Sequence, residues 1–168
     1  MTQLSKHYTV EDCEHSDTAI ALNIPNKMNV AQLSNAKNLL NDIAEPICEH
    51  YGILITYSCL FRCFRLNSKL GGSSTSEHCN ANAFDGAKFG KITLKQVFND
   101  IVDGKIKDSK GVPIKNKIDQ MIFETKITVD KKTGKKTYTY WLHIGRRDKP
   151  RHQFMTSVNN VYTTVNHI

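Results

Sequence analysis

Apolar positions recur at helical spacing between residues 30 and 51, where Leu33, Leu40, Ile43, Ile47 and Tyr51 share one face. Asn29 precedes this stretch, with Gln32 three residues on as a variant capping box, and Gly52 follows where helices end on glycine. The pattern predicts a helix from about Val30 to Tyr51 with a core-facing stripe, kinked or split at Pro46, which has no N–H to donate. A second helix is predicted from its cap Thr93, with Gln96 following, to Val102, and Gly104 ends it. Residues 53–57 read as a short β-rich strand. Residues 118–129 and 137–144 read as a hairpin around the polar, glycine-containing turn 130–136. Thr9 to Asp12 can cap one short helical turn, and Ile24-Pro25-Asn26 reads as a turn within an otherwise irregular stretch 1–28. Residues 62–90 read as loop-rich around Gly71-Gly72-Ser73-Ser74, residues 103–117 as a lysine-rich connection, and the tail from Gly145 as basic, then β-branched and polar. This order predicts one α+β domain over residues 1–168.

Pairing the hairpin symmetrically about Thr133-Gly134 sets Glu124 opposite His143 and Lys126 opposite Trp141 on one face. The other face then carries Phe123, Thr125, Ile127 and Val129 against Ile144, Leu142, Tyr140 and Tyr138, mostly apolar and suited to packing on the helices. A carboxylate and an imidazole are thereby expected to project together from the sheet.

Composition narrows the class. The chain has 168 residues, with 39% hydrophobic and 23% charged, which argues against both disorder and a fibrous repeat. No apolar run approaches the roughly 20 residues of a membrane span. The N-terminus has no hydrophobic stretch after its charge, so no secretory signal peptide is expected and synthesis is expected in the cytoplasm. Lys and Arg number 23 against 16 Asp and Glu, a net charge of +7. That balance suits a polyanion: nucleic acid, an anionic membrane or an anionic wall polymer. Five cysteines, an odd number without a Cys-x-x-Cys pair, predict free thiols rather than a disulfide framework.

The chemistry concentrates in 76–85. His78 and Asp85 stand seven positions apart among small residues, and imidazole and carboxylate are both zinc ligands. A surface histidine and a turn aspartate would give the same spacing, so a third ligand has to come from elsewhere in the chain. Arg62 follows the predicted strand 53–57 and can clamp a carboxylate in bidentate fashion.

These residues carry a resemblance. The stretch from Phe61-Arg62 through Leu66-Asn67, Gly71-Gly72-Ser73 and Ser76 to His78 resembles the Y-R-S-x-x-L-N-x-x-x-G-G-S-x-x-S-x-H segment of the M15 family of zinc peptidases, in its D-Ala-D-Ala carboxypeptidase-like branch. Asp85 follows in register. Trp141-Leu142-His143-Ile144 resembles the family's late W-x-H-V segment, and Asp119 to Glu124 its D-Q-L-I-x-E strand. His7 to Glu11 and Ser16 to Ala21 resemble that branch's N-terminus. The similarity spans about residues 5–155, leaving 156–168 as a C-terminal tail.

The resemblance implies a small antiparallel sheet with helices packed on one side, as in the Hedgehog N-domain and D,D-peptidases. It implies zinc on His78, Asp85 and His143, substrate contacts from Arg62 and Ser76, and Glu124 as general base with Arg62 assisting catalysis. It further implies hydrolysis of peptidoglycan stem peptides at the bacterial cell wall by a phage-type lytic enzyme, with anionic wall polymers as further partners. Departures are Cys59 for Ser, Leu60 for Gly, Phe61 for Tyr and Ala81 for the Gly of H-x-x-G. Several relatives place the catalytic Glu three residues before the last His, where this chain has Tyr140. The alternative is an inactive wall-binding or virion module on the same fold. A nucleic-acid binder using the basic hairpin turn and Arg146 to Arg151 is disfavoured, because the hairpin pairing above packs Tyr138 and Tyr140.

Overall fold

The computed structural model describes residues 2–168. Short-range hydrogen bonds start the helices. Thr9 and Asp12 form a reciprocal capping box for α1 (Val10–Glu14), the short turn expected there, and Ser16 caps α2 (Asp17–Ala21), a second helix in a stretch expected to be irregular. Asn29 and Gln32 form the capping box of α3 (Val30–Leu39). The helix then widens into a π-turn over Leu40–Ala44 before α4 (Glu45–Tyr51), with the Glu45 N–H donating to the Leu40 carbonyl. This shift seats Pro46 in the first turn of α4, where its missing N–H costs little. Gly52 closes α4 at φ 64°.

Six strands follow: β1 (Ile55–Cys59), β2 (Ala83–Phe89), β3 (Ile118–Val129), β4 (Lys136–Arg146), β5 (Gln153–Val158) and β6 (Val161–Thr164). Helices α5 (Phe64–Lys69) and α6 (Leu94–Val102) lie between strands, with Thr93 capping α6 as expected. Residues 62–90, expected to be loop-rich, thus contain α5 and β2. The sheet order is β1-β2-β4-β3-β5-β6. The α+β class holds, but the sheet is mixed rather than wholly antiparallel, because β5 returns parallel to β3. Beyond residue 155, β6 pairs with β5, and Val165 and Ile168 pack on the core.

One face of the sheet is apolar. Phe84, Met121, Leu142 and Ile144 join Leu39, Leu40, Ile43 and Ile47 from the long helical stretch and Phe98 and Ile101 from α6 in one buried cluster. Each such side chain contributes roughly 1.5–3 kcal/mol by leaving water. All five cysteines are free.

The hairpin register differs from the symmetrical expectation. Glu124 pairs with Trp141, Ile122 with His143 and Lys126 with Thr139. The turn centres one residue earlier, where Asp130 accepts from the N–H groups of Lys132 and Thr133. This slips the pairing by two residues, and an even slip keeps every side chain on its face. Glu124 and His143 therefore still share a face, diagonally rather than directly opposed. Tyr138 and Tyr140 are not packed under helices: they are 50% and 46% exposed, because the hairpin arm runs beyond the helical layer.

Candidate functional site

The face opposite the core carries the polar alternates of the same strands. Asp85 of β2 pairs with His143 of β4, which pairs with Ile122 of β3, and Glu124 lies two residues further along β3. With the loops after β1 and before β2 they line a cavity of about 680 Å³ that takes in Arg62, Ser76, His78, Asp85, Glu124 and His143. All six residues singled out from the sequence thus face one space.

Three donor atoms converge at its base. Asp85 Oδ1 lies 3.2 Å from His78 Nε2 and 3.1 Å from His143 Nδ1, and the two imidazole centroids are 5.0 Å apart. Ligand atoms around a tetrahedral zinc, at 2.0–2.1 Å from it, are about 3.3 Å from one another. The two Asp85 contacts match that spacing, and imidazole and carboxylate are the donor types such an ion takes. His78 reaches this point from a 3-10 turn (Glu77–Asn80), and its Nδ1–H donates to the Leu60 carbonyl at 2.9 Å, which turns Nε2 toward Asp85. Cys59, opposite Asp85 in the β1–β2 pairing, is a further candidate donor, since it, His78 and Asp85 bring ligand atoms within 4.8 Å of one another. Its Sγ, however, contacts His78 Nδ1 at 3.7 Å, the nitrogen already engaged by Leu60. His143 Nδ1, 3.1 Å from Asp85 Oδ1, is the other candidate for the third donor.

Charge follows the geometry. Burial opposes an imidazolium at His78, yet the Asp85 carboxylate beside it raises its pKa well above the ordinary value. Burial likewise opposes the Asp85 charge, but His78 and the His143 hydrogen bond hold the carboxyl far below the usual range.

Three arginines, Arg62, Arg147 and Arg151, stand in the walls. Arg62 Nε is buried without a hydrogen-bond partner, an orphan donor at a cavity wall that suits an anionic ligand. Ser76 precedes the 3-10 turn without a side-chain cap bond, leaving its hydroxyl to the cavity. Gly72 is required in this loop, because a Cβ there would collide with the Asn67 side chain. Ala81, at the position of the expected glycine, takes φ 55° while fully buried.

Sequence reasoning missed the remaining walls. Asp119, fully buried, accepts from the Arg151 backbone N–H at 2.9 Å and from its Nε at 3.0 Å, and Arg147 bridges Asp119 and Glu77. Asn160 and Tyr162, from the tail, also line the cavity. The run Arg146 to Arg151 reads as a basic surface, and only the return of β5 beside β3 turns Arg151 onto Asp119.

A family model described as Peptidase M15 matches residues 7–118. The matched stretch contains Arg62, Ser76, His78 and Asp85, and stops before Glu124 and His143. No curated protein and no solved structure matches the chain.

Proposed function

The chain belongs to the peptidase M15 family, and from that premise we propose that it is a zinc-dependent peptidase that hydrolyses peptide bonds of the peptidoglycan stem peptide. The observation that carries this reading is the convergence of His78, Asp85 and His143 in one cavity with Glu124 and Arg62. His78, Asp85 and His143 would hold the ion. Zinc bound there supplies a Lewis acid that polarises a carbonyl and makes water acidic enough to attack near neutral pH.

The chain's own residues supply the rest. Glu124, 9% exposed on the cavity floor, takes the proton of the attacking water and returns it to the leaving amine. Arg62, with its unpartnered Nε, pairs with a substrate carboxylate, which wall peptides carry. Ser76 adds a hydroxyl contact beside it. The Leu60 carbonyl fixes the His78 tautomer. Residues 1–168 form one catalytic domain in this reading, which the continuity of β5 and β6 with the sheet supports. The net charge of +7 favours adsorption to anionic wall polymers, as a phage-type lytic enzyme at the bacterial wall requires. The retained carboxylate and cation favour catalysis over an inactive binding module.

The test is mass spectrometry of stem peptides incubated with zinc-loaded protein, alongside metal analysis. Cleavage lost in His143→Ala together with bound zinc supports the assignment. Undiminished cleavage by a metal-free His78→Ala, Asp85→Ala, His143→Ala triple variant overturns it.

A further inference from the structure

Strand β6 and the turn before it lie beyond the family match. Asn159 and Asn160 join β5 to β6 at φ 49° and 67°, the left-handed pair that a two-residue hairpin turn needs and asparagine tolerates. The turn is pinned to β3. The Asn159 N–H donates to the Thr125 carbonyl at 2.9 Å, and Asn159 Oδ1 accepts from the Ile127 N–H at 2.8 Å. This anchoring holds Asn160 at the cavity wall and fixes the register of β6. Tyr162 then faces Ser157, and Ser157 faces Glu124. Opposed residues share a face, so Glu124, Ser157 and Tyr162 form a row running to the sheet edge. Ser157, 1% exposed, carries a hydroxyl with no hydrogen-bond partner.

Arg62 leaves the end of β1 at one edge of the sheet, and Tyr162 stands on β6 at the other. From Asp85 on β2 to Tyr162 on β6 there are four strand steps, about 19 Å at 4.7–4.9 Å each. An extended peptide covers that distance in about five or six residues. A dipeptide covers about a third of it. Asn160 and Tyr162 are themselves uncharged: they offer an amide, which donates and accepts as a peptide group does, and a phenol with an apolar ring.

We infer that Asn160 and Tyr162 form a distal subsite for the main chain of an extended peptide lying across the strands. The substrate is engaged on both sides of the bond that breaks, and the site discriminates by substrate length. The inference rests on the peptidase reading and deepens it.

The test compares kcat/KM of the zinc-loaded protein on a cross-linked stem-peptide dimer, the stem pentapeptide and its two terminal dipeptides. At least a tenfold preference for the longer substrates is expected. Asn160→Ala with Tyr162→Ala, both at exposed positions, should lower kcat/KM on the longer substrates at least tenfold, chiefly through KM, with zinc content unchanged. Equal kcat/KM at all lengths, or an equal loss on long and short substrates, overturns the inference. If nothing is cut, the peptidase reading fails and calorimetry decides the subsite. Zinc-loaded Glu124→Gln protein binding the pentapeptide at least tenfold more tightly than the same protein lacking both side chains supports it, and equal or absent binding overturns it.

Discussion

Asp85→Asn removes one charge from the donor cluster and almost no volume. Asp85 Oδ1 and His78 Nε2 are 3.2 Å apart, with side chains 16% and 4% exposed. At that distance and an effective dielectric constant of about 20, the gross attraction is about 5 kcal/mol. The substitution leaves a buried imidazolium without its counter-charge, a change of about 3–5 kcal/mol in buried pairs, unless His78 loses its proton. Neutralising an imidazole at pH 5, against an unfolded value of about 6.5, costs about 2 kcal/mol, which sets the lower end of the expected loss. The pH dependence is the sharper test. The raised His78 value contributes stability that is fully present below about pH 6.5 and is lost as pH rises through the folded value. The lowered Asp85 value contributes stability present above about pH 3.9 and lost as pH falls through its folded value. Both contributions are therefore complete between about pH 4 and 6.5. Urea unfolding of chelator-treated protein should show the parent about 2–5 kcal/mol more stable than Asp85→Asn at pH 5. That advantage should shrink by about 1.4 kcal/mol per pH unit above 6.5. Parallel stability curves for the two proteins from pH 6.5 to 8 would refute the charge pair.

Zinc held by His78 would displace its proton, so the thermal shift given by a fixed zinc concentration should grow between pH 6 and 8, and a shift independent of pH would count against His78 as ligand. Glu124→Gln should keep zinc and fold while losing about 10²–10⁴ of kcat, read by peptide mass spectrometry against metal content. Arg62→Lys keeps the charge but loses the fork, and should raise KM at least tenfold on substrates with a free carboxylate; unchanged KM removes Arg62 from the site. Gly86→Ala places a Cβ 2.5 Å from Cζ of Phe89, a ring 1% exposed, and should cost about 1–3 kcal/mol in chemical denaturation.

The helix starts at Asn29 and Thr93 and the stop at Gly52 were legible because capping acts over three or four residues and needs no partner elsewhere. The face shared by Glu124 and His143 was legible too, since alternation along a strand has period two and survives the two-residue slip. The slip itself depended on how Asp130 folds the turn, which residue type alone leaves open. Pro46 announced a break in the helix, but not the π-turn before it, in which Leu40 and Ile43 are fully buried. Tyr138 and Tyr140 alternate like core residues yet lie beyond the helical layer, a fact of helix placement rather than strand pattern.

By itself, then, the sequence determined the long helical stretch, α6, the first strand, the β3–β4 hairpin, the α+β class and the residue types fit to hold a metal. Only the tertiary structure brought Asp85 against His143, turned Arg151 onto buried Asp119 and carried Asn160 and Tyr162 to the cavity. Caps and alternation are decided by neighbours a few residues apart, whereas strand order and the cavity wall arise from burying one shared core between segments far apart in the chain.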